Sequence, residues 1–233
     1  MATKIITHSG NFHADEVFAA ASLSIFLDGN IEIVRSRDEL VIAGAGKNDY
    51  VIDVGAVYEP EKKRFDHHQE GGAGARPNGI PYASFGLVWK EYGEKICGLQ
   101  KVAEKIDEKL AQPIDLGDNG LEVCKPVLGE VAEYPIWRVI DLWRPTWKEG
   151  DVEDGSFREA VKFAKWVLER EIKRTLDGLE SDKIVEQNFN DSEDKRIVVM
   201  EKQMPFKDIL LLREEPLFII SPDPQNGGNW RIT

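Results

Sequence analysis

The sequence predicts an α/β protein: a mostly parallel sheet flanked by helices, then a helical connector, then a smaller α/β unit at the C-terminal end. Three features lead to this reading. Short apolar runs alternate with helix-patterned segments in the first half, one long amphipathic stretch follows from Ser156, and short apolar runs return after Arg196.

The elements follow in order. Lys4-Ile5-Ile6-Thr7-His8 reads as a strand, Ser9-Gly10-Asn11 as a turn, and Asp15 to Leu27 as a helix with Val17, Phe18, Ala21, Leu23, Ile25 and Phe26 at helical spacing. Ile31-Glu32-Ile33-Val34 and Tyr50-Val51-Ile52-Asp53-Val54 are further buried strands. Strands that alternate with helices pair in parallel and are covered on both faces. A glycine-rich segment, Gly71 to Gly79, leads into a helix from Ala83 to Cys97. A second helix runs from Lys101 to Ala111, where Pro113 closes it or opens the next turn. Pro126 to Trp147 is rich in Pro and Trp. The stretch from Ser156 places Phe157, Ala160, Val161, Ala164, Val167, Leu168, Ile172, Leu176 and Leu179 on one side of a long helix. After Arg196 come strands at Ile197-Val198-Val199-Met200 and Leu217-Phe218-Ile219-Ile220, with a helix near Phe206 to Leu212. The expected organisation is a first domain over 1–125, a helical connector over 126–190 and a partial C-terminal α/β domain over 191–233.

With 233 residues, 42% of them hydrophobic and 31% charged, the chain can bury a sizeable core and is not of disordered composition. A net charge of −12 excludes a protein that coats nucleic acid by bulk electrostatics, which needs clustered Lys and Arg. It does not exclude a nuclease, because a site that gathers divalent cations first gathers carboxylates. No stretch approaches the roughly 18 apolar residues of a membrane span, and the first residues lack a signal-peptide core, so a cytoplasmic protein without membrane association is expected. The two cysteines, Cys97 and Cys124, lack metal-finger spacing and read as buried thiols. Nothing in the sequence indicates an oligomeric state.

The chemistry concentrates in the first half. All four histidines lie within the first 68 residues, in two clusters: His8 and His13 beside Asp15 and Glu16, and Asp66-His67-His68. Chance would scatter them, and each cluster contains carboxylates, the usual companions of imidazole around a metal. His8 follows the first strand and Asp53 ends the third, which is where parallel sheets collect ligands. Asp118, in Asp115-Leu116-Gly117-Asp118-Asn119-Gly120, completes a ligand set. The mixture of imidazole and carboxylate suits Mn²⁺, Zn²⁺, Fe²⁺ or Co²⁺, with Mn²⁺ favoured, whereas carboxylates alone would favour Mg²⁺ or Ca²⁺.

Thr7-His8-x-Gly10-x-Phe12-His13-x-Asp15-Glu16, Asp53-Val54-Gly55, Phe65-Asp66-His67-His68-Gln69 and Ile114-Asp115-x-x-Asp118-Asn119-Gly120 occur in that order. Together they resemble the MYG1 family (UPF0160), a branch of the DHH phosphoesterase superfamily. The resemblance continues through Pro81-Tyr82-x-Ser84-x-Gly86-Leu87-Val88-Trp89 and Pro222-Asp223-Pro224…Gly227-Gly228-x-Trp230-Arg231. It implies a DHH-like sheet and a dinuclear centre held by His8, His13, Asp15, Asp53, His67 and Asp118, with Asp53 bridging. It further implies that His68 faces the scissile phosphate, that Asp66 steadies His67, and that Asp115 and Asn119 help at the same corner. Two divalent ions, Mn²⁺ or alternatively Mg²⁺, Co²⁺ or Zn²⁺, would activate a shared water for in-line displacement at phosphorus. Arg76 could meet a substrate phosphate or stand as an exposed loop arginine. Asp115 could cap a helix instead, Glu16 reads equally as a ligand or a first-turn carboxylate, and the six tryptophans pack or stack on bases.

The implied activity is a phosphodiesterase trimming RNA or DNA ends. Hydrolysis of a small phosphate compound such as pyrophosphate or a short nucleotide is the alternative, and a non-catalytic, metal-stabilised module is the third reading. Chains of this family are expected to continue several tens of residues past the Trp230-Arg231 strand with a glycine- and histidine-containing segment near the substrate cleft, whereas this sequence ends at Thr233.

Overall fold

A computed structural model describes residues 2–233 apart from 123, 126, 128, 130, 132, 151, 224 and 226. Pro126, where the connector was expected to begin, and Pro224 of the last motif therefore lie outside the described residues. The fold is mixed α/β, with a mostly parallel sheet flanked by helices. The chain divides into two compact units, residues 1–172 and 173–233, and the division falls inside one long helix.

The first unit is organised by strand β1 (Thr3–Thr7), whose Ile5, Ile6 and Thr7 are buried. β1 pairs in parallel with β2 (Ile31–Arg35) on one side and β3 (Tyr50–Ile52) on the other, with Ile5 opposite Ile33 and Tyr50. Two short strands, β4 (Tyr58–Glu59) and β5 (Arg64–Phe65), extend the sheet to the order β2-β1-β3-β5-β4. β5 is parallel to β3 and β4 is the antiparallel edge. These strands have two residues each, too few to show a period-2 pattern, and the sequence reading missed them.

Helix α1 (Ala14–Phe26) is buried on every side over most of its length, with Val17, Phe18, Ala19, Ala20, Ala21 and Leu23 fully enclosed. A helix apolar all round belongs inside a layer rather than on it. Between β2 and β3 lies a five-residue helix, α2 (Glu39–Ala43), capped by Asp38, which accepts from the Leu40 amide at 2.8 Å. Helix α3 (Ser84–Cys97) packs on α1 through Phe85, 5.3 Å from Phe18 between ring centroids, and closes at Gly98 in the left-handed conformation.

Helix α4 (Gln100–Ile106) continues through a π-helical turn over Asp107–Ala111 into α5 (Gln112–Asp118). Pro113 was expected to end the helix or start a turn. It sits instead in the first turn of α5, where its missing N–H leaves no needed bond unmade because the wider turn before it has already shifted the hydrogen-bond register. Helix α6 (Ile136–Asp141) follows.

One polar network ties α3 to the π-turn and α5. Arg76 is buried, donates from Nε to Asp107 Oδ2 at 2.9 Å and from Nη2 to Asp107 Oδ1 at 2.7 Å, and pairs through Nη1 with Asp115 Oδ2 at 2.8 Å. Tyr82 covers its face at 4.3 Å. Asp115 Oδ1 also accepts from the Gly86 amide at 3.0 Å, and burial pushes this carboxyl up to about 7 against the pull of Arg76. Gly86 leaves room for that approach: a Cβ there would lie 1.8 Å from Asp115 Oδ2 and 2.6 Å from Arg76 Nη2.

Helix α7 (Glu153–Asp191) starts close to the expected position but runs twelve residues past Leu179. Val185 and Phe189 extend its apolar stripe among many charged residues and pack, in the second unit, with Val198, Met200, Leu210 and Ile219. That unit adds β6 (Ile197–Val199), a single-turn helix α8 (Lys207–Leu210), β7 (Phe218–Pro222) and β8 (Trp230–Ile232). β6 and β7 are parallel, and β7 and β8 antiparallel. Cys97 is buried as expected, but Cys124, itself outside any helix or strand, is exposed. Among the described residues no helix is long and apolar enough to cross a membrane.

The Gly86→Ala variant should lose about 2–4 kcal/mol of unfolding free energy, from overpacking combined with strain on a buried ion pair. Gly155→Ala, at an exposed helical site with nothing within 4 Å, should be neutral or gain up to about 1 kcal/mol. Urea denaturation of both reads the contrast, and a Gly86→Ala protein as stable as the parent would refute the close-approach argument.

Candidate metal centre

Three strands of the parallel sheet release their chains at the same end, and each delivers a ligand-type side chain there. His8 follows β1 directly. Asp53 follows β3 with φ of +53°, a left-handed backbone that a short polar residue tolerates better than most, and its amide donates to Phe65 O at 3.1 Å. Asp66-His67-His68 follows β5. Helices complete the circle: His13 precedes α1, Asp15 and Glu16 lie in its first turn, Ser84 begins α3, and Asp118 ends α5.

His8 Nε2 lies 3.0 Å from Glu16 Oε1 and 3.2 Å from Asp53 Oδ2. Both Glu16 oxygens also accept from the His13 amide at 2.9 Å, so one carboxylate caps the helix and faces the imidazole. His67 Nε2 lies 3.1 Å from Asp118 Oδ2, 3.4 Å from Asp53 Oδ1 and 3.9 Å from Asp15 Oδ2. Ser84 donates from Oγ to Asp53 Oδ1 at 3.1 Å and from its amide to Asp15 Oδ2 at 3.3 Å. Asp15, Glu16 and Asp53 are almost wholly buried.

Such crowding of like charges governs protonation. Burial alone would lower His8, yet Asp53 and Glu16 hold it at about 10; burial likewise opposes His67, which Asp118 and Asp53 hold at about 10. Burial raises Asp15 well above the carboxylate range, and Asp53, Asp118 and Glu16 add to this. Asp53 lies well below that range because His67 and His8 outweigh its burial.

The donor atoms fall into three overlapping groups that could each hold a metal ion: His8, His13, Glu16 and Asp53; Asp53, His67 and His68; and His13, Asp15 and Asp118. Asp53 belongs to two groups and so does His13. Asp15 Oδ1 and His67 Nε2 are buried without a well-formed hydrogen bond, a condition that costs about 1–3 kcal/mol per group unless a cation meets it. The residues present thus fit a divalent ion, by donor type and by these two atoms. Burial and the groups around it place Glu16 among the residues that could hold a metal ion, although in the sequence a first-turn carboxylate has an ordinary explanation.

His68 has a different setting. Its side chain is 59% exposed, and its Nδ1 lies 2.7 Å from Asp66 Oδ1. A carboxylate only accepts, so Nδ1 carries the proton and Nε2 is left for the cleft. Asp66 is fixed in turn by the amides of His67, at 2.7 Å, and Ala56, at 2.5 Å. The carboxylate expected to steady the His67 ring therefore steadies that of His68, and reaches His67 only through its backbone. A cleft of about 1050 Å³ is lined by His8, His13, Asp53, Asp66, His68 and Asp118 together with Arg37 and others, whereas the buried Asp15 and Glu16 and the half-buried His67 are not part of its lining.

Three residues expected at the substrate are not brought to this cleft. Arg76 and Asp115 are consumed by their mutual ion pair, and Asn119 turns its Nδ2 back to Asp115 O at 2.8 Å at the end of α5. Ser84 and Arg37 are the residues that sequence reasoning missed. Arg37 Nη2 lies 3.0 Å from His8 Nδ1, and its Nε donates to Ser9 O at 3.0 Å. No tryptophan lines the cleft; Trp89 is buried and donates to Ala103 O, whereas Trp147 and Trp166 are exposed elsewhere.

The profile of the MYG1 exonuclease family, described as the uncharacterised protein family UPF0160, matches residues 4–233. The chain belongs to the MYG1 family. It is 28% identical to the MYG1 protein of Dictyostelium discoideum, an alignment that covers 98% of this chain and 77% of that one. It is 36% identical to a MYG1 protein of Chlamydia pneumoniae over 67% of this chain and 50% of the relative, so it spans about half the length of that protein. The human protein named MYG1 exonuclease is 27% identical, with 98% of this chain and 69% of that one covered. No solved structure matches.

Mn²⁺ affinity should rise with pH between 6 and 9. A cation at Nε2 of His8 or His67 must displace a proton held there up to about 10, and the proton on Asp15 adds in the same direction. Titration calorimetry in two buffers of different ionisation enthalpy would count the protons released. Affinity that ignores pH, with no proton release, would remove these side chains from the ligand set.

Proposed function

We propose that this MYG1-family chain is a metal-dependent phosphodiester hydrolase that acts as an exonuclease on RNA or DNA ends. The observation that carries the reading is the convergence of three His-carboxylate groups, overlapping at Asp53 and His13, at one large cleft by the carboxyl ends of a parallel sheet. The name of the human relative, MYG1 exonuclease, supports the substrate class.

In this reading His8, His13, Asp15, Asp53, His67 and Asp118, joined by Glu16, would hold two divalent ions, Asp53 being common to two of the candidate groups. The mixed imidazole and carboxylate donors favour Mn²⁺ over Mg²⁺. Divalent ions bound there would supply a water of lowered pKa and positive charge for the phosphoryl oxygens. The remaining work falls to the chain. Asp66 holds the Nδ1 proton of His68 and so aims Nε2 into the cleft, where it can carry a proton to the leaving oxygen. Ser84, at the N-terminus of α3, orients Asp53 and Asp15 by donating to both. The buried positions of Asp15 and Glu16 keep water from screening them.

A second reading, hydrolysis of a small phosphate compound, draws on the net charge of −12, which repels a long polyanion beyond the cleft. A panel of pyrophosphate and short nucleotides, scored by phosphate release, separates the two.

With Mn²⁺, single strands of RNA or DNA labelled at the 3′ or 5′ end should be shortened progressively from one end. His67→Ala should abolish this. His68→Gln should slow it by about 10²–10⁴-fold, as for loss of a general acid. Intact strands, or a His67→Ala protein as active as the parent, would sink the proposal.

A further inference from the structure

We infer that Arg37 forms a phosphate subsite beside the His8 edge of the cleft. The inference rests on the phosphate-ester reading above and adds the residue that grips the substrate's charge. The other cations lining the cleft are occupied. Lys62 pairs with Glu59 at 2.6 Å, and Arg64 donates to Lys62 O at 2.9 Å and Asp49 O at 3.3 Å. Arg35 is enclosed by Phe12 and Phe157 and paired with Asp154, and Arg76, the sequence candidate for this task, is enclosed by Asp107, Asp115 and Tyr82.

Arg37 differs from all of these. It is exposed, it lines the cleft, and among the described residues no carboxylate pairs with it. Its Nε donates to the Ser9 carbonyl, a neutral group that orients the guanidinium without cancelling its charge, and its Nη2 lies 3.0 Å from Nδ1 of His8. Nη1 is left for a ligand. A guanidinium anchored in this way matches phosphate oxygens in geometry as well as charge. It stands in contact with His8, itself 3.0 Å from Glu16 and 3.2 Å from Asp53, so an anion held by Arg37 would lie at the margin of the candidate metal centre.

The test uses the full chain loaded with Mn²⁺, inorganic phosphate as the probe, and two variants, Arg37→Ala and Arg37→Lys. Arg37→Ala should keep the parent's Mn²⁺ stoichiometry and thermal midpoint and bind phosphate about ten- to a hundred-fold more weakly, the range for loss of a hydrogen bond to a charged group. Arg37→Lys, which keeps the charge but not the fork, should fall between. Phosphate affinity within two-fold of the parent in Arg37→Ala, loss of Mn²⁺ in that variant, or no phosphate binding by the parent would each overturn the subsite. Cleavage of labelled strands, read in parallel, separates the two proposals. A parent that binds phosphate through Arg37 yet cleaves no strand overturns the exonuclease reading and leaves the subsite. Cleavage whose KM is unchanged in Arg37→Ala, with unchanged phosphate affinity, does the reverse.

Discussion

Burying several carboxylates against one another is the constraint on which the first unit of this protein depends. Asp15, Glu16 and Asp53 are almost completely enclosed, and Asp118 stands beside them. Anionic groups so placed repel unless cationic or hydrogen-bond-donating partners meet them. The fold supplies both. His8 and His67 lie between pairs of carboxylates, and the N-terminal ends of α1 and α3 turn their amides and their positive dipole ends toward the same point. The alanine-rich α1, buried over most of its length, follows from this need, since a helix must lie deep in the layer for its first turn to deliver Asp15 and Glu16 to the ends of the strands.

The fixed parts around the centre are of two kinds. Asp66 serves the cleft directly, holding the exposed His68 in one ring orientation while the amides of Ala56, His67 and His68 hold Asp66 itself. Among the described residues, the network of Arg76, Asp107, Asp115 and Gly86 hydrogen-bonds to none of the candidate metal-binding side chains, yet it pins α3 against the segment that ends in Asp118. A polar cluster can therefore be charged, buried and rich in partners and still serve position rather than chemistry.

This distinction marks the limit of what the sequence could reveal. The strands β1 to β3 and helices α1, α3 and α7 were legible because their apolar residues recur with the period of their element. The histidines were legible because four of them cluster with acids in a chain that has no others. The two-residue strands β4 and β5 carry no period, and the π-turn before Pro113 depends on packing. Arg76 lies within the glycine-rich stretch Gly71 to Gly79, which suggests an exposed loop, whereas its enclosure comes from Tyr82, Asp107 and Asp115, which tertiary structure brings to it. Arg37, Ser84 and the full part played by Glu16 were hidden for the converse reason. Each has an ordinary local explanation, and only the meeting of elements from distant parts of the chain gives it another.

The left-handed backbone at Asp53 bears on how such a chain can diverge. That conformation costs most side chains about 1–2 kcal/mol, and only glycine, asparagine and aspartate adopt it readily. Of these three only aspartate brings a carboxylate. Geometry and charge together favour aspartate, so a descendant that exchanged Asp53 for glutamate or histidine would carry that cost at the end of β3, as Ala56 and Lys63 do nearby at φ of +52° and +59°. The path of the main chain thus weighs on the identity of this one residue alongside whatever it binds.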